Sequence, residues 1–275
     1  MPEPDAAAFA TLLDALDPYL SHVVIAGGWA HRLYRLHPLA TPPDYPPLAT
    51  LDADVALKRG DLPAEADIRK RLVDRKFEAE FVADHTPPVT EYRLGKEDTA
   101  FYAEFLTPLA GAEVKSGKSD MTAKIAGVNA LKLRYLEILL GAPWAVTVRK
   151  ASGIPVPSAV AVRVPNPVSY IVQKLLVQHK RKAEDRGKDL LYVHDTLDLF
   201  GGSIDELRKV WVSDVKSSLH KNQVKALDTV IATSFVAVTD DGRRAVLEAR
   251  AAGRELTAER IVETCRFGLM KIMKG

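Results

Sequence analysis

The chain has 275 residues, of which 47% are hydrophobic, and its formal net charge is +2. This length and composition are typical of a folded protein with one large core or two modest domains, and they exclude a disordered chain. A nearly neutral charge neither requires nor excludes a nucleic-acid partner. The sequence holds one cysteine, Cys265, which excludes an internal disulfide and an all-cysteine metal site.

The N-terminal stretch "MPEPDAAAF" is acidic and lacks the basic region of a secretory signal. Apolar runs in the sequence stay shorter than the roughly 20 residues that a membrane-spanning helix needs. The sequence therefore predicts a cytoplasmic protein without a membrane partner.

The first elements are a helix at residues 9–20, a strand at 23–26 and a second helix at 29–36, from the spacing of their apolar residues. Two glycines, Gly27 and Gly28, join this strand to the second helix. Such a pair either makes a tight turn or lets a phosphate approach the N–H groups at the helix N-terminus. Trp29 follows directly, as a core residue or as a platform on which a base stacks.

A proline-rich loop at residues 37–50 comes next, because Pro42, Pro43, Pro46 and Pro47 would break any regular element. The remaining pattern predicts strands at 51–58, 77–82, 90–93, 99–106, 145–150 and 159–165, with helices at 68–75 and 129–140. From residue 167 onward the spacing is helical. We predict an α/β domain over residues 1–165 and a mainly helical domain over residues 166–275.

Acidic side chains stand out on two of these strands. In "LDADVALK", alternation places Asp52 and Asp54 on one strand face, roughly 6 to 7 Å apart. They repel each other unless the face is solvated or a divalent cation such as Mg²⁺ lies between them. Glu104 interrupts the apolar run "TAFYAEFL", so it is either paired, bound to metal or turned toward water at a sheet edge.

Together these motifs suit one kind of chemistry: glycines follow the first strand, D-x-D lies on the next strand and one acid lies on a later strand. Three carboxylates can hold two cations while the glycine turn binds phosphates. In "GGWA" and "TLDADV" the sequence resembles the nucleotidyltransferase superfamily of the DNA polymerase β type. It is most similar to the bacterial toxin-type and abortive-infection-type branches, with Thr50 in the expected place. The stretch "AEFLTPLAG" resembles the third-acid strand of an uncharacterised bacterial branch.

The segment "VPNPVSYIVQKLLVQHKRKAEDRGKDLLYVHDTLDL" extends the resemblance to the helical part of these proteins. There a lysine precedes a basic stretch and a Lys-Asp pair, which correspond here to Lys174, Arg181, Lys188 and Asp189. The resemblance covers residues 20–200. Two departures are a glycine in place of the usual serine after the first glycine, and the proline-rich insertion; both affect triphosphate binding.

The resemblance implies a nucleotidyltransferase fold with a mixed sheet, and transfer of a nucleoside monophosphate from a nucleoside triphosphate to a hydroxyl, with release of pyrophosphate. It implies two Mg²⁺ ions, with Mn²⁺ as the alternative, bound by Asp52, Asp54 and Glu104. Glu104 also takes the acceptor's proton, and Lys174 neutralises charge as pyrophosphate leaves. The implied triphosphate contacts are Gly27, Gly28, Thr50, Lys188 and Asp189. The acceptor is a tRNA, a protein or a small molecule.

A second hypothesis is a non-catalytic module with this fold, acting in a toxin–antitoxin pair. The basic stretch at residues 179–188 is open to two interpretations, a solvated helix face or a surface for a polyanionic acceptor. On one straight helix, Lys174 and Lys188 would lie roughly 21 Å apart, too far to contact one triphosphate. We expect Gly187 to break the helix and bring Lys188 or Asp189 back.

Overall fold

A computed structural model describes residues 4–83, 88–96, 100–111, 114–115, 118–119 and 121–274. Part of the acidic N-terminal stretch, residues 1–3, and Thr99 of the predicted strand lie outside these ranges. The chain forms two compact units. Unit 1 comprises Met1–Leu36 and Ala49–Pro165, and unit 2 comprises His37–Leu48 and Asn166–Gly275. Within the described ranges, every helix is too short or too polar to cross a membrane.

Unit 1 combines helices with a mixed sheet. Its helices are α1 Pro4–Leu16, α2 Gly27–Leu33, α3 Ile68–Asp74 and α4 Leu136–Leu140. Its strands are β1 Val23–Ile25, β2 Asp52–Leu57, β3 Glu78–Ala83, β4 Val89–Leu94, β5 Phe101–Pro108, β6 Val114–Lys115, β7 Lys118–Ser119, β8 Thr122–Ile125, β9 Val128–Leu133, β10 Trp144–Val148 and β11 Val160–Val164.

The main sheet has the strand order β1-β2-β5-β4-β3. Strand β5 lies parallel to β2 and antiparallel to β4, and its last residues pair in parallel with β9. Strands β1 and β2 pair in antiparallel, as do β8 and β9. The antiparallel pairs β10–β11 and β6–β7 form two separate two-stranded sheets. The sheet is therefore mixed, as the sequence predicts.

Helix α1 contacts strand β5 and helix α2 contacts strand β2, and aromatic side chains of α1, α2 and β5 pack together. Trp29 is fully buried and stacks on Phe9 with 3.8 Å between ring centroids, while Phe101 meets it edge-on. The interpretation of Trp29 as a core residue is confirmed, because a base has no access to a ring packed between two elements.

The predicted helix at residues 129–140 is wrong over its first half. Residues 128–133 form strand β9, and only Leu136–Leu140 is helical. Ala126 and Gly127 have φ values of 48° and 79°, which are typical of a type I′ turn joining β8 and β9. Pairing with β8 and β5 prevails here over the helical spacing of the leucines.

Unit 2 is helical around one buried helix. Its helices are α5 Pro167–Val177, α6 Ala183–Leu199, α7 Ile204–Val210, α8 Lys221–Ser234, α9 Asp240–Ala251 and α10 Ala258–Met273. Asn166 caps α5 by accepting a hydrogen bond from the Ser169 N–H, and Pro167 occupies the first turn, where its missing N–H has no cost. Helix α6 packs against α5, α9 and α10 and is buried along most of its length.

The proline-rich segment at residues 37–48 packs on unit 2. The Thr41 N–H donates to the Leu199 carbonyl (2.8 Å), and the Ser203 hydroxyl donates to the Leu39 carbonyl (2.9 Å). The Tyr45 hydroxyl donates to Asp198 at 2.9 Å. These bonds give the segment an ordered course although its prolines exclude helix and sheet.

Gly187 does not break the helix, contrary to expectation. The chain reverses earlier, at residues 178–182 between α5 and α6, and Gly187 lies buried inside α6. A Cβ at this position would come within 2.6 Å of the Arg244 Cβ on α9. Glycine is therefore required here for close helix packing rather than for a turn.

Candidate active site

Three carboxylates lie side by side across neighbouring strands of unit 1. In the parallel pair β2–β5, Asp54 is opposite Glu104, and in the antiparallel pair β4–β5, Glu104 is opposite Glu91. Residues in register on paired strands project from the same sheet face. Asp52, two residues before Asp54, belongs to that face and is exposed at the start of β2. The structure thus brings the predicted acids together, and Glu91 joins them.

These carboxylates shift each other's protonation. Burial and the neighbouring Asp54, Glu91 and Asp52 raise the pKa of Glu104 to about 8. Burial, together with the charges of Asp52 and Glu80, also raises the pKa of Glu91, against the lowering effect of its hydrogen bond with Glu104. A protonated Glu104 donating to an ionised Glu91 satisfies both groups. The proton on Glu104 reduces the repulsion between these carboxylates, and a metal cation bound among them would reduce the same repulsion.

Gly27 fits the backbone closely against one of these acids. Its φ is +59°, a left-handed conformation that favours glycine, and a Cβ on it would overlap the Asp54 carboxylate. The Ala26 N–H also donates to the Asp54 carbonyl (2.8 Å). Both contacts place the turn between β1 and α2 beside Asp54. Gly28 follows, half-buried, in the first turn of α2.

Thr50 supports the start of β2. Its hydroxyl donates to the Asp52 carbonyl at 3.2 Å, and its side chain is largely buried. This bond fixes the chain where it enters the strand that carries both aspartates. The structure therefore shows a local positioning contact for Thr50, and its contact with triphosphate stays a prediction.

Lys174, Lys188 and Asp189 belong to unit 2. Lys174 is buried, and its Nζ lies 2.5 Å from Asp189 Oδ1, between the rings of Tyr170 and Tyr192 at 5.6 and 5.1 Å. Asp189 is therefore the counterion of this ammonium, and the contact of Lys174 with pyrophosphate stays a prediction. Lys188 is half-buried on α6.

The basic stretch is exposed where α5 and α6 meet. Lys180, Arg181 and Lys182 are all exposed to solvent. The Arg181 Nε also lies 3.1 Å from Asp189 Oδ2, so Asp189 has two basic partners. The turn at residues 178–182, and not Gly187, brings Asp189 to Lys174. The return of Lys188 or Asp189 to the triphosphate stays a prediction.

Sequence reasoning missed Glu91. Its signal is the alternation in "VTEYRL", where Glu91 projects from the face opposite to buried Thr90 and Tyr92. Recognising its relation to Glu104 requires knowing that β4 pairs with β5 and in which register, and one sequence does not contain that information.

The carboxylates fit a Mg²⁺ site by their chemistry. Asp52, Asp54 and Glu104 offer the hard oxygen donors that Mg²⁺ prefers, and the repulsion that raises the Glu104 pKa is the interaction that a cation relieves. In the described part of the chain, no group of three or more histidine, cysteine, aspartate or glutamate side chains is already gathered around a metal position.

A mixed sheet with aligned carboxylates beside a glycine turn, followed by a helical region, defines an α/β protein with an acidic site on its sheet. A protein-family model described as nucleotidyltransferase matches residues 5–216. The chain belongs to this nucleotidyltransferase family, which confirms the resemblance at the level of the family and implies nucleotidyl transfer. The toxin-type and abortive-infection-type branches stay predictions. No curated protein matches the chain significantly.

Proposed function

We propose that unit 1 catalyses transfer of a nucleoside monophosphate from a nucleoside triphosphate to a hydroxyl acceptor. The observation that carries the proposal is the register that sets Asp54 opposite Glu104, with Asp52 on the same face and Gly27 against Asp54. In this reaction the acceptor oxygen bonds to the α-phosphorus, and the bond from that phosphorus to the bridging oxygen breaks. Pyrophosphate leaves with that oxygen.

Asp52 and Asp54 would hold two Mg²⁺ ions, or Mn²⁺ as the alternative, and Glu104 would complete the one on the acceptor side. When bound, the ions neutralise phosphate charge and lower the pKa of the acceptor hydroxyl. Glu104 takes the acceptor's proton on its carboxylate, since a pKa near the working pH suits a group that gains and loses protons. Glu91 orients Glu104 through their shared hydrogen bond.

The remaining contacts with triphosphate follow from the glycine turn and the resemblance. Gly27 and Gly28 lie in the first turn of α2, and the resemblance implies that this turn contacts the triphosphate. We assign the N–H groups of this turn, with Thr50, to phosphate oxygens. The resemblance implies that Lys174 neutralises the leaving pyrophosphate and that Lys188 and Asp189 are further contacts. Within unit 2, Asp189 fixes the position of the Lys174 ammonium.

The test is incubation with each labelled nucleoside triphosphate, Mg²⁺, and total cell RNA, protein or small molecules as acceptors. We expect one acceptor fraction to gain label as pyrophosphate is released. Asp54→Asn should lower the rate by at least about a hundredfold, because it removes a metal-binding charge. Its matched control, Asp74→Asn, changes an exposed aspartate at the end of α3 and should leave the rate unchanged.

Near-normal transfer by Asp54→Asn would contradict the assignment of the carboxylates. Absence of label in every fraction, together with a melting temperature that Mg²⁺ and triphosphate leave unchanged, would instead support the non-catalytic module, because a ligand that binds the folded state raises its stability.

A further inference from the structure

Unit 2 contains a cavity of about 480 Å³ that the proposed transfer reaction does not use. Three segments form it: the proline-rich segment at residues 37–48, helix α6, and the loop from α9 into α10. Its polar lining is Asp44, Tyr45, His194, Asp198, Arg254, Glu255 and Arg260.

His194 lines this cavity although its side chain is only 4% exposed. Its Nδ1 lies 2.9 Å from Asp195 Oδ1. Because an ionised carboxylate only accepts hydrogen bonds, Nδ1 carries the proton of this bond, and in the neutral form of the imidazole Nε2 is then an acceptor. Among the described residues, His194 makes its hydrogen bond to Asp195 through Nδ1. Its Nε2 is therefore the ring nitrogen that can accept a hydrogen bond from a ligand.

The charge of Asp195 is already balanced. Arg254 binds it with two hydrogen bonds of 2.6 and 2.7 Å, and the guanidinium lies 3.6 Å above the Tyr45 ring. Asp195 therefore holds the orientation of His194, and Arg254 has no charge left for a ligand. Asp195 and Arg254 together therefore give the cavity no net positive charge that would attract an anion.

Asp198 is half-buried, and its partner among the described residues is the Tyr45 hydroxyl. Burial and the charges of Asp195 and Asp198 raise the Tyr45 pKa, so the phenol stays protonated and donates. Asp44 and Glu255 add two carboxylates to the lining. Since Asp195 neutralises Arg254, the guanidinium of Arg260 is the positive charge that remains in the lining to balance them. The cavity is thus rich in acceptors and negatively charged.

We propose that this cavity binds a small organic cation with one or more protonated amino groups, which donate to His194 Nε2 and to Asp198. The site is a binding site distinct from the carboxylates of unit 1, and it does not depend on the proposed transfer reaction.

Calorimetric titration with putrescine and with spermidine tests the site, with 1,4-butanediol as the uncharged analogue of putrescine. We expect saturable one-site binding of at least one amine and none of the diol. Asp198→Asn should weaken amine binding about tenfold, because it removes a charge that faces the ligand while its amide oxygen still accepts from Tyr45. His194→Asn should also weaken binding, since the amide nitrogen can keep the bond to Asp195 but Nε2 is lost.

Asp205→Asn is the matched control, because Asp205 is an exposed aspartate of unit 2 outside the cavity lining. Its affinity should equal that of the parent. Equal weakening by Asp198→Asn and Asp205→Asn would mean diffuse attraction of a polycation and would overturn the proposal. Absence of saturable binding of both amines to the parent would overturn it as well.

Discussion

Asp54 is the residue at which the parts of the candidate active site meet. Its carbonyl accepts from Ala26, its side chain lies against Gly27, and its strand neighbour is Glu104. A side chain added at Gly27 would therefore displace the Asp54 carboxylate first.

Gly27→Ala should destabilise the fold and abolish transfer. The new Cβ would overlap the Asp54 carboxylate, and the φ of +59° strains any residue with a side chain. We expect a loss of about 2 kcal/mol or more in the free energy of unfolding. Thermal and denaturant unfolding measure it.

Gly153→Ala separates the two causes. Gly153 also has a positive φ, +81°, but no atom lies within 4 Å of its Cβ position. It should show the backbone strain alone and keep transfer activity. If both variants lost the same stability and the same activity, contact with Asp54 would not explain the requirement for Gly27.

Lys174→Met should destabilise unit 2 by about 2 to 4 kcal/mol, because it removes one partner of a buried ion pair. Arg181 remains beside Asp189, which keeps the loss below the full cost of an unpaired buried charge. Lys188→Met makes the same change of charge at a half-buried position and should cost less. Urea unfolding of both variants gives the comparison.

The same Lys174→Met variant tests the proposed contact with triphosphate under conditions in which it is folded. Weaker triphosphate binding than that of Lys188→Met would support the assignment of Lys174. Triphosphate affinity equal to that of the parent would contradict it and leave Lys174 as a structural partner of Asp189.

At the scale of elements, strand pairing decides the properties of the candidate site. Strands β2, β5 and β4 each contribute one carboxylate to a row in register. A single acid on a single strand would face water with an ordinary pKa. Pairing of the strands makes proton binding at Glu104 dependent on its neighbours.

Stability in the presence of a chelator should fall as the pH rises from about 4.5 to about 8. The folded state raises the pKa of Glu104 from 4.5 to about 8, so in this interval it binds a proton that the unfolded chain has lost, and folding becomes less favourable as that proton is lost. We expect a contribution on the order of 1 to 3 kcal/mol after allowing for partial solvent screening. Glu104→Gln should flatten this part of the profile.

Mg²⁺ should bind more tightly at pH 8 than at pH 6, since binding to protonated Glu104 releases a proton. Thermal unfolding at both pH values, with and without Mg²⁺, measures both effects. A profile for Glu104→Gln that still falls as steeply as that of the parent would show that another group titrates.

The success of sequence prediction also differs by element. The glycine turn and strand β2 follow from local patterns, because Gly27 is required by its own φ and the D-x-D alternation belongs to one strand. Strand β9 and Glu91 depend on partners far along the chain, and helical spacing misled the prediction at residues 128–133. The position of the turn before α6 was likewise decided by packing, since Gly187 is needed against Arg244.

At the scale of the whole molecule, the family match ends at residue 216, yet unit 2 needs residues beyond it. Helices α9 and α10 pack on α6, and Arg254 neutralises the buried Asp195. The segment after residue 216 is therefore an integral part of the core of unit 2.

A chain ending at residue 216 should lose the cooperative unfolding of unit 2, because α6 would expose its buried face and Asp195 would lose its guanidinium partner. Circular dichroism and limited proteolysis of the truncated chain measure this, with cleavage expected within residues 166–216. A truncated unit 2 as resistant to protease as the parent would contradict the role assigned to α9 and α10.

The placement of residues 37–48 in unit 2 has a consequence for the order of folding during synthesis. Tyr45 is translated 150 residues before its partner Asp195, and Arg254, which covers the Tyr45 ring, is made later still. Until the ribosome has made these partners, the segment at residues 37–48 cannot form its contacts with them. Its prolines keep it extended and leave it few backbone N–H donors, which disfavours incorrect strand pairing. Completion of unit 2 is thus a late event, in which a segment synthesised early joins helix α6 and the loop between α9 and α10.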